Sequence, residues 1–169
     1  MKLRQIIYPL KIFHKNSYEG EHKFKEFLSK VNYRPIFLGR ARYGVYLAVK
    51  NSISNSKKNK VLMSPYTIMD LINCVFNAGA NIRFYDLNDD LRLFYPSLDY
   101  FEKELKTNEY SCLIITHYHL NYQFIPDLKL LCEKYSVDLI EDCAISYGSK
   151  YPNTKINIGQ LSDYAIFSN

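Results

Sequence analysis

Two acids, Glu141 and Asp142, close the run LIEDC, an apolar segment that reads as a buried strand. A carboxylate at the edge of a core is costly to desolvate unless a cation or a hydrogen-bond donor meets it. Adjacent strand residues point to opposite faces, so only one of the two acids readily faces a common site. His117 and His119 form an HxH pair that would set both imidazoles on one strand face. With Asp142 or Glu141 they could make a metal site. In LGRARYG, a loop carrying Arg40 and Arg42 enters a helix whose first N–H groups lack intrahelical partners. This is the nearest thing in the chain to a phosphate cradle. Cys143 and Ser168 are nucleophiles by type, but neither lies in a motif such as GxSxG.

The elements that must position these residues are legible from Gly39 onward, where helical and strand-like segments alternate. RYGVYLAVKNSI sets Val45, Leu47, Ala48, Val49 and Ile53 largely along one side of a helix. The polar connector SNSKKNK then leads into the strand VLMS, stopped by Pro65 and Tyr66. TIMDLINCVFNAG predicts a second helix, with Gly79 where a left-handed C-terminal cap is wanted. NIRFYDL reads as a strand and LNDDLRLFYPSL as a loop. SLDYFEKELKT is a helix with Ser97 or Asp99 near its start, and SCLIITHY is the most apolar strand. FIPDLKLLCEKYS is a helix with Pro126 in its first turn, followed by the strands VDLIEDC and YAIFSN. The order predicts an α/β fold, three layers α/β/α around a mostly parallel sheet. Residues 1–38 are irregular and read as an N-terminal arm, with a short amphipathic helix around EGEHKFKEFLSK. In such sheets ligands sit beyond the carboxyl ends of the strands, which gathers Tyr66, His117, His119, Asp142 and Ser168.

Composition narrows the chemistry. A chain of 169 residues, 47% hydrophobic and 23% charged, can bury a real core and is not of the disordered class. Neither GxGxxG nor GxxxxGK[ST] occurs, so dinucleotide and P-loop sites lack their usual support. The formal charge of +5 is dispersed, and its densest cluster, NSKKNK, reads as a solvated loop, with neither nucleic acid nor membrane as partner. Cys74, Cys112, Cys132 and Cys143 form no CxxC pair and have apolar neighbours, as reduced core thiols of a cytoplasmic protein would. The start MKLRQIIYPLKIF is basic, but Pro9 and Lys11 break its apolar run, so it reads as neither signal peptide nor anchor.

Taken in order, GRARYGVYLAV, SPYTIMDLINCVFNAGANIRFYDLN, IITHYHLN, LIEDCAISYGSKY and GQLSDYAIFSN resemble the N-terminal half of the DegT-type nucleotide-sugar aminotransferases. These are pyridoxal-phosphate (PLP) enzymes of the aspartate-aminotransferase fold, fold type I. The resemblance implies that residues 39–169 are a PLP-binding large domain, truncated, with its C-terminal part and the small domain absent. It gives Asp142 the role of the acid that pairs with the pyridinium nitrogen, and Ser168 that of a cofactor contact, commonly to the phosphate. It places Arg42 and Tyr43 in the phosphate-binding corner, and Tyr66 is close to the position where an aromatic residue stacks on the cofactor ring; His117 and His119, from the strand end, are expected at the site edge.

Three positions depart from the family pattern. Arg42 stands where Thr or Ser is usual, Ile68 where an aromatic residue stacks on the ring, and Ile145 where Gln is common. The family's Schiff-base lysine follows the FS motif by a few residues, and no lysine follows Ser168 here. The implied activity moves an amino group from an amino acid such as glutamate to a keto sugar on a nucleotide carrier, in a homodimer. An alternative is an inactive remnant or binding module that keeps the sheet. A more distant one is a metal-dependent hydrolase using His117, His119 and Asp142.

Overall fold

The computed structural model describes residues 5–9, 34–86, 95–118 and 124–168. Among the described residues seven strands form one sheet: β1 (Gln5–Pro9), β2 (Arg34–Leu38), β3 (Lys60–Met63), β4 (Asn81–Phe84), β5 (Tyr110–Thr116), β6 (Asp138–Asp142) and β7 (Tyr164–Ile166). Their order is β2-β1-β7-β6-β5-β3-β4, and every pairing is parallel. Parallel neighbours need crossovers, and these are supplied in part by α1 (Ala41–Ser56), α2 (Met69–Asn77), α3 (Leu98–Leu105) and α4 (Ile125–Lys134).

Alternation along the strands builds two cores from this one sheet. Val61, Met63, Ile114, Ile140 and Ile166 pack with Val45 and Val49 of α1 and with Leu71 and Val75 of α2. Leu62, Leu113, Ile115 and Leu139 face the other way, onto Phe101 of α3 and Ile125 and Leu128 of α4. A sheet covered on both faces explains the apolar run of β5 and the burial of every residue of β6, since neither face of those strands meets water. The three-layer α/β arrangement expected from the segment order is thus observed.

Local signals worked where capping chemistry was explicit. Ser97 is the N-cap of α3, its hydroxyl accepting from the Tyr100 N–H at 3.2 Å. Gly79 adopts φ +94°, the left-handed conformation that ends α2. Two differences have physical causes. The first helix runs to Ser56, three residues past the predicted apolar stripe, and ends on a left-handed Lys57, because polar residues continue a helix that one face already anchors. The irregular first 38 residues contain two strands, β1 and β2, too short to display an alternation. The helix expected around EGEHKFKEFLSK and residues 87–94 of the loop expected over LNDDLRLFYPSL lie outside the described residues.

The segment between β6 and β7 is pinned at both ends. Lys129 Nζ of α4 lies 2.7 Å from Asp163 Oδ2, which also accepts from the Leu139 N–H at 2.9 Å, joining the starts of β6 and β7. Gly159 has φ +83°, and a Cβ there would lie 2.7 Å from Ala165 Cβ and 2.9 Å from Phe167 Cζ. Gly159→Ala is therefore expected to cost about 2–4 kcal/mol, from overpacking and left-handed strain together. A urea titration would show it as a lowered midpoint with little change in slope.

Candidate cofactor site

The same alternation assigns the two acids. Asp142 shares its parity with Ile140 and faces the α1 and α2 side; Glu141 shares its parity with Leu139 and faces the α3 and α4 side. On the first face, Asp142, Ala144, Ile166 and Ser168, from the ends of β6 and β7, line a cleft of ≈ 270 Å³ together with Arg42 and Ile68. Three of the sequence-predicted residues, Arg42, Asp142 and Ser168, are thus brought to one place.

Electrostatically the cleft is two-sided. The N-cap of α1, Arg40, is extended and makes no side-chain cap, and no acid occupies the first turn. The Tyr43 N–H is taken by the Arg40 carbonyl at 3.1 Å. The N–H groups of Ala41 and Arg42 lie at a helix end that attracts anions, and both residues line the cleft. The Arg42 guanidinium is ion-paired with Asp70, in the first turn of α2. Asp142 is 8% exposed and its Oδ1 accepts from the Ala144 N–H at 3.3 Å. Burial pushes its carboxyl above the ordinary range, while the Ala144 N–H and the nearby His117 pull it back.

This donor set suits a phosphorylated pyridine. A phosphate would meet a helix N-terminus and Arg42, and a ring nitrogen carrying a proton would relieve a buried carboxylate that holds a single hydrogen bond on one oxygen. Apolar walls at Val45, Ile68 and Leu71 match the flat faces of a ring.

The other predicted residues lie elsewhere. Tyr43 and Tyr66 are 55% and 54% exposed and do not line the cleft. Ile145 is exposed as well. His119 lies outside the described residues. His117 is fully buried on the opposite face, with Nε2 2.8 Å from Glu141 Oε2 and Nδ1 2.9 Å from Ser146 Oγ. The ring is engaged by Glu141, one of the two acids that the sequence offered beside the HxH pair, and Asp142 lies on the other face of the strand. Donor atoms of His117, Glu141 and Cys143 lie within 4.8 Å of one another. Both Glu141 oxygens are nonetheless taken, Oε1 by the Tyr151 hydroxyl at 2.7 Å, and burial holds the Cys143 thiol well above its usual range. Sequence reading passed over Tyr151 and Ser146 because a Tyr and a Ser in a loop carry no spacing signal.

The fold is the fold-type-I α/β fold of the PLP-dependent aminotransferases. The chain is similar over 86% of its length to AtS13 from Actinomadura melliaura, with a TM-score of 0.61 and 18% identity, covering 39% of that chain. Over 86% it is also similar to Helicobacter pylori PseC, an aminotransferase involved in the biosynthesis of pseudoaminic acid (TM-score 0.59, 18% identity, 37% of that chain). The model of the DegT/DnrJ/EryC1/StrS aminotransferase family matches residues 15–169, and the chain belongs to that family. A curated relative, the UDP-4-amino-4,6-dideoxy-N-acetyl-beta-L-altrosamine transaminase of Campylobacter jejuni strain 81-176, is 28% identical over 114 residues, 66% of this chain and 29% of the relative. The chain thus spans less than a third of the length of the curated relatives it matches.

Proposed function

We propose that this chain supplies the cofactor-binding half of a PLP-dependent nucleotide-sugar aminotransferase, with an amino acid as donor and a nucleotide-linked keto sugar as acceptor. The observation that carries the reading is the convergence of Asp142, Ser168, Arg42 and the open N-terminus of α1 on one cleft. Arg42 and the first N–H groups of α1 hold the phosphate, with Ser168 as a further donor. Asp142 keeps the ring nitrogen protonated. The cofactor, when bound, supplies an electron sink for the reacting carbon. Val45, Ile68 and Leu71 restrict water around the ring, which strengthens the Asp142 contact. The nucleotide-sugar class rests on the likeness to the Campylobacter transaminase. Tyr43, Leu47 and Met69 are exposed apolar residues that a second copy would cover, in line with a homodimer.

Titration with pyridoxamine 5′-phosphate and with pyridoxamine, read by fluorescence, tests the site. Saturable binding that depends on the phosphate is expected; absence of saturation with the phosphorylated probe would sink the reading. Glutamate-dependent amination of a UDP-linked 4-keto sugar, followed by mass spectrometry, tests the activity. Asp70 competes with an incoming phosphate for Arg42, so Asp70→Asn should tighten the phosphorylated probe about threefold to tenfold, more at low salt than at high. Unchanged or weaker binding would instead make Asp70 a support that orients Arg42.

A further inference from the structure

Behind the cleft, on the opposite face of the same strand end, lies a polar cluster sealed from water. Glu141 and His117 have side chains with no exposure, and Tyr151 and Ser146 are each 1% exposed. Glu141 is held at both oxygens: Oε2 faces His117 Nε2 at 2.8 Å, and Oε1 accepts from the Tyr151 hydroxyl at 2.7 Å. The Tyr151 oxygen accepts in turn from the Gly159 N–H at 2.9 Å, and His117 Nδ1 lies 2.9 Å from Ser146 Oγ. The backbone N–H of His117 donates to the Asp142 carbonyl at 3.0 Å. His117 therefore grips two successive residues of β6, Glu141 by its ring and Asp142 by its main chain.

Filling this space with an apolar side chain would avoid desolvating a carboxylate, so the charge needs a reason other than packing. Two directional bonds on one carboxylate fix the rotation of its residue about the strand axis, and on a strand that rotation also aims the next side chain. We propose that Glu141, clamped by His117 and Tyr151, is a positioning residue for Asp142, fixing the end of β6 so that the Asp142 carboxylate meets the ring nitrogen of the cofactor. This rests on the cofactor reading above. The cluster also ties the segment after β6, through Ser146, Tyr151 and Gly159, to the ends of β5 and β6, so the wall of the cleft at Ala144 and the acid beside it are held by one set of bonds.

The test uses the full 169-residue chain and two probes: pyridoxamine 5′-phosphate, and benzyl phosphate, which has a ring and a phosphate but no ring nitrogen. Glu141→Gln and Tyr151→Phe are each expected to weaken pyridoxamine phosphate about tenfold while changing benzyl phosphate less than twofold. The near-ultraviolet band of bound pyridoxamine phosphate, which reports protonation of its ring, should shift toward the unprotonated form in both variants. Added to Asp142→Asn, Glu141→Gln should have no further effect on either probe. Equal weakening of both probes, or no weakening of either in a variant that melts cooperatively, overturns the positioning role. If Glu141→Gln fails to fold, Tyr151→Phe decides the matter by the same ratio. A parent chain that binds the two probes equally well would remove the cofactor reading itself, an outcome distinct from a parent that discriminates and variants that still do.

Discussion

Asp142→Asn is expected to weaken pyridoxamine 5′-phosphate by about a hundredfold to a thousandfold while stabilising the ligand-free chain. The first effect follows from charge. A carboxylate and a protonated ring nitrogen ~4 Å apart attract by about 4 kcal/mol at an effective dielectric of ~20, and asparagine keeps only a neutral hydrogen bond. The second follows from burial. The carboxylate is 8% exposed and accepts a hydrogen bond from the Ala144 N–H. Its folded-state proton affinity is raised above the ordinary value of 3.8, so the folded chain holds that proton more tightly than the unfolded one. The contribution of this group is therefore fully present below pH 3.8 and is lost as pH rises through the raised value. At neutral pH the asparagine variant should gain about 1 kcal/mol, a gap that closes in acid. Fluorescence titration checks the affinity, and urea denaturation at neutral and acid pH checks the stability. A loss of affinity below threefold would contradict the assigned role.

Glu141→Ala should lower the unfolding free energy by about 3–5 kcal/mol, the largest single-residue effect on stability expected in the polar interior. Removing the carboxylate takes away the group that His117 Nε2 and the Tyr151 hydroxyl meet, in a region sealed from solvent, and leaves empty the space the side chain filled. Glu141→Gln keeps the volume and one acceptor and should cost markedly less. Chemical denaturation of both variants is the measurement, and a cost for alanine no greater than for glutamine would show that shape alone matters there. Comparison with Asp142→Asn is informative because the two acids are adjacent and yet predicted to have opposite signs: one stabilises the fold, and the other burdens it until a cation arrives.

Much of the fold was legible because its elements carry strong local signals. The stripe from Val45 to Ile53, the hydroxyl of Ser97, Gly79 at a helix end and the apolar run of β5 each report a local requirement that the chain satisfies within a few residues. Strands β1 and β2 carry no such signal. Their existence depends on pairing, β2 with β1 and β1 with β7, the last more than a hundred residues away in sequence. The site divides along the same line. Arg42, Asp142 and Ser168 line one cleft, whereas Tyr43, which the resemblance put in the same corner as Arg42, and Tyr66 are exposed and do not line it.

The sequence by itself determined that the chain is an α/β protein, and it presented Glu141 and Asp142 as acids on opposite faces of one strand, because a strand's period of two admits no other arrangement. It could not say which face held which partner. That was decided by tertiary structure: α1 and its open N-terminus cover one side of β6, while His117 and Tyr151 arrive on the other from β5 and from the loop before β7. Side-chain parity is a local property of the backbone, but the charge that each parity meets is set by which distant segment packs there.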